Sequence, residues 1–89
     1  MIKIELSGSF KRAFKKRVAS DPKRTKKFWT CIALFTEDPY HPSLKTHKLS
    51  GKLSDLLSFS VEYDLRVIFY FSDSNTARLI DLGTHDEVY

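Results

Sequence analysis

The stretch LLSFSVEYDLRVIFYFSDSNTARLIDLG, residues 56–83, decides the fold. Leu57, Phe59, Val61 and Tyr63 alternate with Ser58, Ser60 and Glu62. That period of two predicts a strand with one buried face. Leu65, Val67, Phe69 and Phe71 then share one face of a second strand, with Arg66, Ile68 and Tyr70 on the other. Apolar residues on both faces predict a central strand covered on each side. The short Tyr63-Asp64 connection predicts a tight antiparallel hairpin, although no Asn-Gly pair fixes its turn type. Ser72-Asp73-Ser74-Asn75 is the next turn, residues 77–82 form the last clear strand, and Gly83 ends or bulges it.

Upstream, Ile2, Ile4 and Leu6 alternate with Lys3 and Glu5, a short half-buried strand. Ser7-Gly8-Ser9 ends it and offers an N-cap. Phe10, Ala13, Phe14 and Val18 follow at helical spacing, opposite Lys11, Arg12, Lys15 and Lys16. Asp21 is a good N-cap and Pro22 suits the first position of a second helix, roughly residues 22–37. That helix is expected to bury Phe28, Trp29, Ile32 and Phe35. Glu37-Asp38-Pro39 stops it, and residues 38–47 read as a polar loop. The expected architecture is α+β, in the order β-α-α-β-β-β, with a helical hairpin packed on an antiparallel sheet.

Eighty-nine residues make one domain, residues 1–89, with apolar material for one compact core. No stretch approaches the 18 or more apolar residues of a membrane span, and the basic N-terminus lacks the apolar core of a signal peptide. The single cysteine, Cys31, has no disulfide partner and no companion zinc ligands, and reads as a small buried helix residue. A reducing, cytoplasmic setting fits. The net charge of +4 conceals an asymmetry. Residues 1–52 hold 13 Lys/Arg against 4 Asp/Glu, and residues 53–89 hold 2 against 7. A basic half of this density attracts phosphate backbones or an acidic partner, or serves only as a solvated face.

A scattered polar set interrupts the apolar pattern: His47, Asp64, Arg66, His85 and Tyr89. Singly, each has an ordinary reading: a turn residue for Asp64, a surface salt bridge for Arg66, surface histidines for His47 and His85. His41, in His-Pro, reads as loop surface. Together these types are what RNA cleavage without a metal requires. A base takes the 2′-hydroxyl proton, an acid protonates the 5′-oxygen, and a cation holds the phosphate as charge builds. Histidine titrates near neutrality, and arginine grips phosphate through a charged fork. Strand parity puts Asp64 and Arg66 on one side, at the hairpin end of the sheet.

Three segments, HPSLKTHKLSGKL (41–53), SFSVEYDLRVIFYF (58–71) and LIDLGTHDEVY (79–89), together resemble the RelE/ParE superfamily of bacterial toxins, and most closely its YafQ-type branch. The resemblance spans nearly the whole chain. It implies the toxin of a type II toxin–antitoxin pair, an mRNA interferase that cleaves mRNA in the ribosomal A site and so inhibits translation. The family's histidine before the Leu-x-Gly turn falls on His47, its hairpin aspartate on Asp64, and its Gly-Thr-His histidine on His85. Its terminal aromatic falls on Tyr89, and the third-strand arginine of RelE-type enzymes on Arg66. These five form the expected catalytic set, with no metal and no cofactor. The expected partners are a helical, acidic antitoxin, the ribosome and mRNA. Lys11, Arg12, Lys15, Lys16, Lys23, Arg24, Lys26, Lys27, Lys45 and Lys48 are the expected RNA-binding residues, and the same helix surface also suits the antitoxin.

The chain departs from the YafQ-type pattern once: Ser60 stands where a further histidine is expected on the second strand. If His85 is the acid, Asp64 or His47 must then serve as the base. An alternative within the superfamily is a ParE-like toxin that inhibits DNA gyrase by protein binding and needs no acid–base set. A third is a copy whose activity has decayed.

Overall fold

The computed structural model describes residues 1–49 and 55–84. The elements run β1 (Lys3–Leu6), α1 (Gly8–Arg17), α2 (Pro22–Glu37), a 3-10 turn (Pro42–Leu44), β2 (His47–Lys48), β3 (Leu57–Glu62), β4 (Leu65–Asp73) and β5 (Thr76–Gly83). Local chemistry sets the helix limits as expected. Ser7 Oγ accepts from the Phe10 N–H at 3.0 Å to open α1. Asp21 accepts from the Lys23 and Arg24 N–H groups at 3.0 and 3.2 Å, with Pro22 at the first position of α2.

The strands form one sheet in the order β1-β5-β4-β3-β2, so β4 is central. Phe10, Val18, Phe28, Ile32 and Phe35 of the helical layer meet Phe59, Val67, Phe69 and Leu79 of the sheet in one core. Phe35 ties the layers together, stacked on Phe59 at 4.8 Å and edge-on to Phe69 at 4.9 Å. The sheet's other face carries Ser58, Ser60, Arg66, Ile68 and Tyr70.

The α+β class holds, and the sheet differs from expectation in two respects. It is mixed: β1 pairs parallel with β5, whereas β2 to β5 are antiparallel throughout. The period of β1 records which side is buried but not which way its neighbour runs. A helical hairpin between strands, unlike a tight turn, permits either direction. The fifth strand, β2, pairs His47 with Ser58 and Lys48 with Leu57 inside what reads as loop. Two residues are too few to display a period.

Three side chains expected in the core are not fully there. Trp29 is 53% exposed, because α2 buries the stripe Phe28, Ile32 and Phe35 and Trp29 lies a step around the helix from it. Its ring closes the core edge instead, 5.0 Å from Phe28 and 6.4 Å from Phe14. Tyr63 is 99% exposed. A bulge shifts the β3–β4 register between Ser60 and Glu62, and β3 ends at Glu62, so the alternation stops before Tyr63. Cys31 is half-buried, its Sγ 3.7 Å from the Val61 carbonyl oxygen. Burial pushes its thiol pKa up, with Lys27 pulling the other way. It therefore stays a protonated thiol, a poor nucleophile.

Candidate active site

Arg66 organises the site. It sits on central β4 with Ser60 opposite on β3 and Gly83 opposite on β5, and only 9% of it is exposed. A guanidinium buried that deeply must find acceptors. Its Nη2 donates to Ser58 Oγ at 3.2 Å and to the Lys45 carbonyl oxygen at 3.3 Å, and lies 3.4 Å from His47 Nδ1. Arg66 is therefore a buried cation on the central strand, not a surface one. Ser58 is fully buried beneath it. Its role was hidden in the sequence, because one serine among alternating apolar residues reads as an ordinary outward position.

His47 is held by β2 across from Ser58, with its ring exposed. Its Nδ1 is 3.0 Å from the Lys45 carbonyl oxygen. A carbonyl only accepts, so Nδ1 carries the proton, and it cannot also accept from Arg66. The shorter contact decides. Arg66 and His47 are then two donors converging on one oxygen. The tautomer suits a base and, once protonated, an acid.

The shared acceptor depends on an unusual backbone. Lys45 caps the 3-10 turn with φ 52° and ψ 41°, a left-handed conformation and the sole positive φ among the described non-glycine residues. For a side-chain-bearing residue this costs about 1–2 kcal/mol. Lys45→Val, β-branched, is expected to lower unfolding free energy by about 1–2 kcal/mol, whereas Lys45→Gly is expected not to lower it. Urea denaturation of the two variants checks this, and equal losses would show that the strain is absent.

Asp64 lies in the β3–β4 turn, exposed, and lines the same cleft as Arg66. The cleft has a volume of about 400 Å³, and its other described walls are Lys45, Ser60 and Tyr63. Asp64 and Arg66, which strand parity puts on one side, line one cleft, and the Lys45 carbonyl links His47 to Arg66. Ser60, standing at the expected histidine position, faces the cleft with its Oγ donating to the Glu62 carbonyl oxygen at 2.9 Å. His85 and Tyr89 lie outside the described residues. Among the described residues no group of three or more His, Cys, Asp or Glu gathers as a metal site.

The basic residues spread over both helices instead of forming one stripe. Lys11, Arg12, Lys15 and Lys16 project from α1, and Lys23, Lys26 and Lys27 from α2. Arg24 is already engaged: its Nε donates to Glu62 at 2.7 Å and its Nη1 to the Arg17 carbonyl at 3.2 Å. Lys45 and Lys48 flank His47 in sequence and are exposed.

Two helices on a mixed five-stranded sheet are the fold of RelE-like toxins. A metal-bound toxin from Helicobacter pylori is 31% identical, each chain covering 100% of the other, with a TM-score of 0.79. The family model for YafQ, the bacterial toxin of type II toxin–antitoxin systems, matches residues 2–89, and the chain belongs to that family. YafQ from Escherichia coli strain BL21(DE3) has the same fold, with a TM-score of 0.73 at 23% identity over 100% of this chain and 99% of that one. So has YoeB in the heterotetrameric YoeB–YefM toxin–antitoxin complex from Staphylococcus aureus, with a TM-score of 0.76 at 19% identity over 96% and 98% of the two chains. No curated protein sequence matches.

Proposed function

We propose that this toxin is a ribosome-dependent mRNA endoribonuclease, acting in the cytoplasm and held in check by a cognate antitoxin. The observation that carries the reading is the convergence of Arg66 and the His47 Nδ1–H on the Lys45 carbonyl, beside a cleft shared with Asp64. A binding-only gyrase inhibitor needs no such arrangement. In the reaction, His47 Nε2 or Asp64 takes the 2′-hydroxyl proton, and the 2′-oxygen attacks the adjacent phosphorus. Arg66 stabilises the charge that builds on the phosphoryl oxygens. His85 protonates the departing 5′-oxygen, leaving a 2′,3′-cyclic phosphate and a 5′-hydroxyl. Gly83 pairs with Arg66, and His85 follows it by two positions in the sequence, which supports that assignment. Tyr89 stacks on a base or positions the 2′-hydroxyl.

Base, acid and cation are all side chains in this scheme, so cleavage is expected to continue in excess chelator. The antitoxin is expected to be helical with an acidic surface, matching the excess of Lys and Arg on α1 and α2. No described helix is long and apolar enough to cross a membrane. The test is single-turnover cleavage of ribosome-bound mRNA, in chelator, by the unaltered chain and by His85→Ala. A loss of about 10²-fold or more in the variant is expected. Equal rates would remove His85 from the mechanism, and growth arrest with a DNA-damage response but intact mRNA would favour the gyrase reading.

A further inference from the structure

The cleft at Arg66 continues into a second groove, of about 470 Å³, between the β3–β4 hairpin and α2. The two share Lys45, Ser60 and Tyr63 and so adjoin one another. Lys27 and Leu34 of α2 form the far wall. The groove's one described carboxylate, Glu62, is already paired with Arg24 at 2.7 Å, leaving Lys27 and Lys45 to set the local field. At the junction stands Tyr63, its ring 99% exposed on the hairpin tip. An apolar ring kept out of the core, at the mouth of a groove that Lys27 and Lys45 also line, matches the elements of a single-stranded nucleic acid track. Lysines follow the phosphates, and an aromatic face receives a base.

We infer that Tyr63 is the stacking platform for a nucleotide next to the scissile phosphate, and that Lys27 and Lys45 carry the backbone of that RNA along the groove. This rests on the ribonuclease reading and adds a substrate-binding residue to it. Stacking contributes binding, not proton transfer, so its loss should appear in affinity and not in the chemical step.

The experiment measures single-turnover cleavage over a range of mRNA-programmed ribosome concentrations, for the unaltered chain, Tyr63→Ala and Tyr63→Phe. Because Tyr63 packs into no core, neither variant removes buried contacts. Tyr63→Ala should raise the half-saturating concentration about tenfold while the limiting rate holds within about twofold, and Tyr63→Phe should stay near the parent. A second readout uses mRNA with a 2′-deoxy cut site and 2-aminopurine beside it, whose fluorescence should be quenched by the parent and by Tyr63→Phe but not by Tyr63→Ala. Unchanged saturation and quenching in Tyr63→Ala would overturn the inference and leave the nuclease reading standing. Weakened antitoxin binding with unchanged cleavage would overturn it equally, as a protein interface. Absence of cleavage by the unaltered chain would remove both.

Discussion

Replacing Arg66 with alanine is expected to harm this protein twice. Cleavage should fall by about 10²–10³-fold, the loss typical when a preorganised donor to developing charge is removed. Stability should fall by about 1–3 kcal/mol, because Ser58 Oγ and the Lys45 carbonyl lose a buried donor. The two losses can be separated. Arg66→Met refills much of the volume and is expected to recover part of the stability and none of the activity. Arg66→Lys keeps a charge but presents no planar fork, so it cannot reach both acceptors and a phosphate with one geometry. Its rate should stay at least tenfold below the parent. Rates near the parent in either the Met or the Lys variant would end the assignment of Arg66 to phosphate charge.

His47→Asn is the second large effect, and it addresses which group is the base. The asparagine Nδ2–H can still donate to the Lys45 carbonyl, so the contact that orients His47 is mimicked while the ring's Nε2 disappears. If His47 is the base, the limiting rate falls by about 10²–10⁴-fold. The parent's rate should then be lost in acid, where a base is protonated, and the variant should lack that dependence. If Asp64 is the base, His47→Asn costs little and Asp64→Asn removes the pH dependence instead. A pH–rate profile of the three proteins decides between them.

What the sequence disclosed follows from which forces act locally. The hairpin, both helices and their caps rest on periodicity and on short-range hydrogen bonds, as with Asp21 and Pro22, and all were legible. Asp64 and Arg66 share a cleft because strand parity is a local rule. The Lys45 carbonyl was not legible, since a left-handed lysine carries no mark in a sequence and side-chain identity says nothing about where a backbone oxygen points. Ser58 was missed for a related reason: its partner lies eight positions away on the next strand. Trp29 and Tyr63 show the opposite error, hydrophobic residues assigned to the core by type when geometry put them at its rim.

The parallel pairing of β1 with β5 bears on how the protein is made. Ile4 lies beside Ala77, and Ser7 reaches Ile80 across 73 positions, so β1 must wait for its partner β5 to be made. Closing so long a loop is slow, and the sheet's far edge stays unpaired until β5 arrives. The same strand brings Gly83 to Arg66. A nascent chain therefore lacks the strand beside Arg66 until β5 has been made. During that interval β1 and the aromatic faces of both helices are open to a partner or to aggregation.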